Sequence, residues 1–324
     1  SQRSTPSCLT NLTRIGSADC GLPINSIACL PFSASQKEPE PGIMTKIKLG
    51  KKFKNSDQPC QAELADKFVY YQQSVQEPDH EIEVFDQIYR EAFKSKALTL
   101  REDFCGTFAV SCEWVKSDKD RKALGIDICP DTLQWGVENN LGKLKPKVAE
   151  RVEVLEQDVR TKTTPQVDIL AAQNFSFWIF KTREEVVNYF RIAYENLNDK
   201  GIMIMDMMGG KECYASDVTD KRTIVKGKKG FKYHWEQAYF NPVNADCSFY
   251  IHFKFGDGSK IEKAFEYHWR FWTIAEVREM LAEAGFSKSL VYWDVADEDE
   301  DADWQSVDEA PNDDSWLSYV VGIK

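Results

Sequence analysis

Leu100-Arg101-Glu102-Asp103-Phe104-Cys105-Gly106-Thr107-Phe108-Ala109-Val110-Ser111 is the stretch on which the fold turns. An apolar run ends there in an acidic pair, passes through a short turn of small residues, and opens into a helical pattern. Open α/β sheets present their ligand sites in this order. Ligands bind beyond the carboxyl ends of the strands, and a glycine there admits a close backbone approach. One glycine is equally consistent with a plain strand-to-helix turn, so the register of the later strands carries the weight.

Downstream the rhythm repeats, with short apolar strands alternating with amphipathic helices, the pattern of βαβ units and a parallel sheet. Strands are predicted over residues 97–102, 122–127, 152–157, 167–173 and 201–207, and helices over 107–116, 130–140 and 183–197. The last of these opens on Thr182-Arg183-Glu184-Glu185, a capping box in which threonine and glutamate satisfy each other's orphan amides. The second strand ends at Asp127, 21 residues after Gly106, where dinucleotide-type folds place an acid for ribose hydroxyls. The third runs into Gln157-Asp158-Val159, so three consecutive strands are tipped by acids.

These residues resemble a family. Leu-Arg-Glu-Asp-Phe-Cys-Gly-Thr is similar to the first motif of the Rossmann-like, seven-stranded S-adenosylmethionine-dependent methyltransferases, as a variant with Phe104 and Phe108 where flanking glycines are usual. Gly125-Ile126-Asp127 resembles their second motif and Gln157-Asp158-Val159 their third. The resemblance covers about residues 97–324. It implies a mostly parallel seven-stranded sheet with an antiparallel C-terminal strand pair, and S-adenosyl-L-methionine as cofactor. Carried over by position, Glu102 lies near the methionine moiety and Gly106 beneath the ligand. Asp127 meets the ribose, and Asp158 with the Val159 backbone faces the adenine. Asp103, Phe104, Cys105 and Ile128 complete the expected cofactor contacts, and Asn174 is expected at both cofactor and acceptor. Helix capping is the competing role for each acid.

The fourth strand ends in Gln173-Asn174-Phe175-Ser176-Phe177-Trp178, where such enzymes orient the attacking atom. Residues 209–272 then break the alternation with aromatic antiparallel strands, a β-rich insertion after the fifth strand placed to act as a substrate lid. Alternation sends Tyr267, Trp269 and Phe271 to one face and His268, Arg270 and Trp272 to the other. Arg270 could pair with a substrate anion, and Glu236, His234 or His252 could take a proton, so Asn174, Glu236 and Arg270 are the expected catalytic residues. A core role for the aromatics and ion pairing for the charged groups are the plainer alternatives.

Residues 1–43, rich in Ser, Pro and Cys, are set apart as a leader or transit-like segment, and 44–94 as a helical lead-in, with 95–324 as the methyltransferase domain. An intracellular, cytoplasmic location is expected, or an organellar one if the leader is a transit peptide. No run approaches the length of a membrane helix. The nine cysteines are scattered without metal-ligand spacing and read as reduced thiols, with no metal expected. The net charge is −11, and the eleven acids between Asp294 and Asp314 account for all of it, the segment 294–315 reading as a solvated acidic loop. No basic stripe is visible along the chain, which argues against nucleic acid and for a small-molecule nitrogen or oxygen acceptor, with a protein acceptor left open. A nicotinamide-dependent reductase shares the architecture but lacks its Gly-x-Gly-x-x-Gly here, and a non-catalytic interaction module is the third alternative.

Overall fold

The computed structural model describes residues 46–48, 58–296 and 301–324. The segment set apart as a leader lies outside the described residues.

Three helices lead in: α1 (Gln61–Leu64), α2 (Lys67–Val75) and α3 (Pro78–Phe93). They follow a short strand, β1 (Lys46–Lys48). The alternating part then runs β2 (Thr99–Asp103), α4 (Ala109–Ser117), β3 (Lys122–Asp127), α5 (Pro130–Asn139), α6 (Pro146–Ala149), β4 (Val152–Glu156), β5 (Val167–Ala172), α7 (Arg183–Asn196) and β6 (Leu197–Gly209). The insertion contributes β7 (Val218–Val225), β8 (Phe231–Phe240), β9 (Asp246–Phe255) and β10 (Lys260–Arg270). The chain closes with α8 (Ile274–Ala284), β11 (Lys288–Asp294), β12 (Trp304–Ser306) and β13 (Trp316–Ile323).

Two sheets result. The larger has the order β12-β11-β13-β6-β5-β2-β3-β4, and the smaller β1-β10-β9-β8-β7. Within the larger, β2 to β6 pair in parallel, while β13 pairs antiparallel with both β6 and β11. This is the mostly parallel Rossmann-like sheet with an antiparallel C-terminal pair and a β-rich insertion after its fifth strand, and β12 gives it eight strands where seven are expected. The apolar runs of β5 and β6 are buried along nearly their whole length, as strands covered on both faces must be. The expected capping box forms, Thr182 with Glu185, and Thr273 makes a second with Glu276 at the start of α8.

The acidic segment departs from the expectation of a plain loop. Trp304, 2% exposed, lies in β12 against β11, and its ring meets Tyr319 edge-on at 4.6 Å. Gln87 Nε2 donates to the Trp304 carbonyl at 2.6 Å, so one buried aromatic staples the acidic segment to α3. Among the described cysteines, Cys60, Cys105, Cys112, Cys213 and Cys247 are free and buried.

The motif turn is packed by an exchange of glycines. Phe104, Gly106 and Phe108 all adopt left-handed backbone, at φ of 56°, 53° and 45°. The Phe108 ring is fully buried with Cys105, Cys112 and Leu133. Room for it is made at Gly136 of α5, where a Cβ would stand 2.5 Å from the ring and 2.7 Å from the Thr107 carbonyl. Gly136→Ala is therefore expected to destabilise the protein by about 1–3 kcal/mol in urea unfolding, the range for overpacking a filled core. Phe108→Leu in the same chain should recover part of the loss.

Candidate functional site

The carboxyl ends of β2, β3, β5 and β6 meet at one edge of the larger sheet, where β2, β3 and β6 carry buried carboxylates. At the end of β2, Glu102 Oε2 accepts from the Ser111 amide at 2.8 Å and the Ser111 hydroxyl at 2.5 Å. Its Oε1 is buried with no hydrogen-bond partner among the described residues. Burial pushes this carboxyl up to about 7 against the pull of the Ser111 bonds, and Asp127 adds to the rise. Asp127, ending β3, accepts from the Gly106 amide at 2.8 Å through Oδ2 and the Cys129 amide at 2.9 Å through Oδ1. Burial raises it to about 6 in spite of these bonds. Beside it Ile128 is 46% exposed, an apolar surface large enough to take a planar ring.

Asn174 follows β5 in the left-handed region, φ 65°, as does Phe175, φ 56°. Neither side-chain polar atom of Asn174 finds a partner among the described residues, although the side chain is fully buried. The turn is held by Asp206 of β6, whose Oδ1 accepts from the Phe175 amide at 2.9 Å. Burial raises Asp206 to about 7. A further carboxylate comes from the lead-in: Glu81 of α3 is fully buried and held well above the usual range, first by burial and then by Glu102, Asp206 and Glu77.

Other expected residues fall elsewhere. Asp103 does not join the edge. Strand alternation turns it away from Glu102, and its oxygens accept from Arg101 Nε at 2.6 Å and the Tyr189 hydroxyl at 3.0 Å. Phe104 packs near Phe180 and Tyr189, with ring centroids at 6.0 and 5.8 Å. The buried Cys105 thiol is pushed well above its usual range, first by burial, and takes no part as a thiolate. Asp158 is partly exposed and gripped by Arg160, with Nη2 to Oδ2 at 2.6 Å, and that bond lowers its pKa. The Val159 carbonyl accepts from Arg101 at 2.6 Å.

The insertion sheet sorts its residues by face. Trp235, Phe249, Tyr267 and Trp269 point inward, and the Trp269 ring reaches Phe175 at 6.1 Å and Trp178 at 6.0 Å. Glu236 and Arg270 occupy alternate positions and therefore point outward. Glu236 is bonded to His252 Nε2 at 2.7 Å. Arg270 donates to the Lys181 carbonyl at 3.0 Å and lies 3.7 Å over the Trp272 ring. It lines a separate cavity of about 540 Å³ with Lys181, Tyr214, Asp246 and Glu276. The expectation that these two act beside Asn174 is corrected on that ground. The lead-in closes the other side: Gln72 Nε2 donates to the Thr107 hydroxyl at 3.1 Å, and Phe68 packs on Trp135 at 5.3 Å.

Neither Glu81 nor Asp206 is among the residues that the sequence patterns single out. Asp206 tips its strand as Glu102 and Asp127 tip theirs, so the acid-at-strand-end rule applied once more finds it. Glu81 carries no such signal, because an acid early in a helix ordinarily faces water.

No protein-family model matches the chain, and neither does any curated protein sequence. Solved structures do match. An amino pentose methyltransferase of Micromonospora echinaspora, CalS10, solved with S-adenosylmethionine bound, aligns over 79% of this chain and 95% of its own at a TM-score of 0.58 and 12% identity. Streptomyces venezuelae DesVI aligns over the same shares at 0.58 and 14% identity. The sugar N-methyltransferase KedS8 from a Streptoalloteichus species covers 91% of this chain and 98% of its own at 0.56 and 12% identity. The chain shares the fold of these methyltransferases. At such identities the likeness speaks for the fold, and the side chains must speak for the chemistry.

The raised carboxyls set a pH dependence. A carboxyl whose folded pKa exceeds its unfolded value of about 4.3 stabilises fully below that value, and the stabilisation is lost as pH rises through the folded pKa. Glu102→Gln, which keeps an oxygen for Ser111 and replaces the unpartnered one, should flatten the fall in melting temperature between about pH 4.5 and 7.5. An unchanged slope would show that Glu102 does not titrate in that window.

Proposed function

We propose that this chain is an S-adenosylmethionine-dependent methyltransferase acting on a small-molecule nitrogen or oxygen nucleophile. The observation that carries the reading is unused hydrogen-bonding capacity at the sheet edge. Glu102 Oε1 and both polar atoms of Asn174 are buried without partners among the described residues. Buried polar groups are nearly always bonded, so a ligand is the natural partner for such atoms.

The residues fit that cofactor. The Asp127 oxygens accept from the amides of Gly106, Ile128 and Cys129 and keep acceptor capacity for a ribose hydroxyl. Ile128 offers its exposed surface to the adenine. Gly106, held by Asp127, lets the backbone pass close beneath. The buried acids Glu81, Glu102 and Asp206 make a wall suited to a ligand carrying positive charge. When bound, the cofactor supplies an electrophilic methyl group on a sulfonium.

The protein's part is alignment and exclusion of water. Asn174 orients the acceptor through its free amide, and Phe175, Trp178 and Trp269 wall the site with apolar surface. Asp206, raised to about 7 and bonded to the Phe175 amide, exchanges a proton near neutral pH where the acceptor must lose one. CalS10 and KedS8, named as amino pentose and sugar N-methyltransferases, favour an amine on a small polar molecule over a macromolecule.

Titration calorimetry tests the reading. Wild type should bind S-adenosylhomocysteine, and Asp127→Ala should bind it at least about tenfold more weakly, the loss expected for one buried hydrogen-bonding carboxylate. Stabilisation of the protein by NADH and not by S-adenosylhomocysteine would sink it in favour of a reductase. Binding of neither would favour the interaction module.

A further inference from the structure

We propose that the outward face of the β7–β10 sheet is a dimer surface on which the acidic segment 301–314 of a second copy of this chain docks. The inference is independent of the methyltransferase reading. Lys232 of β8 pairs in register with Lys254 of β9, and Lys254 with Lys260 of β10. Three lysines, 22 and 6 residues apart in sequence, thus stand in one line across adjacent strands about 4.8 Å apart. The register continues to β1, where Lys48 stands opposite Lys260. The neighbouring row brings Lys221, His234 and His252 together, and Lys226, Lys228 and Lys229 occupy the β7–β8 turn beside Lys232.

Like charges placed directly opposite each other weaken a sheet. Compensation within the face is partial: Lys260 Nζ lies 3.3 Å from Glu262, and Glu236 is taken up by His252. Lys221, Lys232 and Lys254 are exposed and form no ion pair among the described residues. His234, 7% exposed, has Nε2 buried and unpartnered in their midst. Burial and then Lys260, Lys221, His252 and Lys254 lower its pKa to about 4, as expected where positive charge is concentrated.

The chain carries the complement of this face. Asp301, Asp303, Asp308, Glu309 and Asp313 are exposed, and among the described residues no ion pair reaches them. Among the described acids of the segment, Asp314 is the one that is paired, with Lys211 at 2.6 Å. Buried Trp304 staples the segment at the β12 edge of the larger sheet, so the acids are presented on an anchored strap. One chain bearing both patches suits a two-fold dimer, in which each strap lies on the partner's lysine row and the contact is made twice.

Sedimentation velocity on the full chain tests this. A dimer is expected at about 20 mM salt and a monomer at about 500 mM, because contacts between exposed charges are screened within a few ångströms at the higher concentration. K232E/K254E should weaken association about tenfold or more, and so should D303K/D308K. Combining the four substitutions in one chain should restore the dimer. All four residues are exposed, so the fold is not at stake. A monomer at low salt overturns the proposal, as does a dimer indifferent both to salt and to K232E/K254E. Binding of tripolyphosphate or RNA by a protein that stays monomeric overturns it in favour of a phosphate-bearing partner.

Discussion

The Asp127 carboxylate joins two loops that the Phe108 ring also holds together by packing against α5. One oxygen fixes the Gly106 amide after β2 and the other the Cys129 amide after β3, so the turn of the first motif and the start of α5 share one anchor. That anchor matters more here than in a glycine-rich turn. Phe104 and Phe108 adopt left-handed backbone where a side chain is disfavoured, a conformation that survives only when its surroundings over-determine it. The buried Phe108 ring, the space left by Gly136 and the bonds to Asp127 supply that determination together. Remove any one and the others lose their purpose, because the ring has nowhere to go without Gly136 and the turn no fixed height without Asp127.

The insertion sheet repeats this economy on a larger scale. A two-residue period gives it two chemically unlike faces from one set of strands. Its inward aromatics continue the core past the sheet edge to Phe175 and Trp178, while its outward face collects lysines and histidines. Helix α1 ties the sheet's far turn to the body, the Gln61 amide donating to Asp257 at 2.8 Å and the Ala62 amide to Ser259 at 3.1 Å. The sheet is thus fastened at both ends, and what it contributes to the site is a rigid wall.

What could be read in the sequence was local. Acid-tipped strands, capping boxes and the switch from helical to two-residue periodicity each involve residues within a dozen positions, and Glu102, Asp127 and Asp158 emerge from them. What escaped was set by which faces meet. Glu236 and Arg270 look apt by residue type, but the face they occupy depends on the whole sheet's orientation, which no local pattern records. Trp304 within an acidic run is one apolar letter among many charges, and only β11 and α3 give it a pocket. The line Lys232, Lys254 and Lys260 is invisible along the chain because strand register, not sequence distance, assembles it.

The buried acids are costly to the fold. Glu81, Glu102 and Asp206 come from a helix and two strands that could have presented apolar side chains at the same places; burial makes each harder to ionise, and Glu102 and Asp206 both add to that cost at Glu81. Ser111 offsets part of that cost at Glu102, and the Phe175 amide part of it at Asp206. What remains uncompensated lies where Glu102 Oε1 and the Asn174 amide also lack partners. Two independent deficits, one of charge and one of hydrogen bonds, coincide at the edge where α/β sheets hold their ligands. A cationic ligand with polar groups of its own relieves both at once, and an apolar ligand relieves neither.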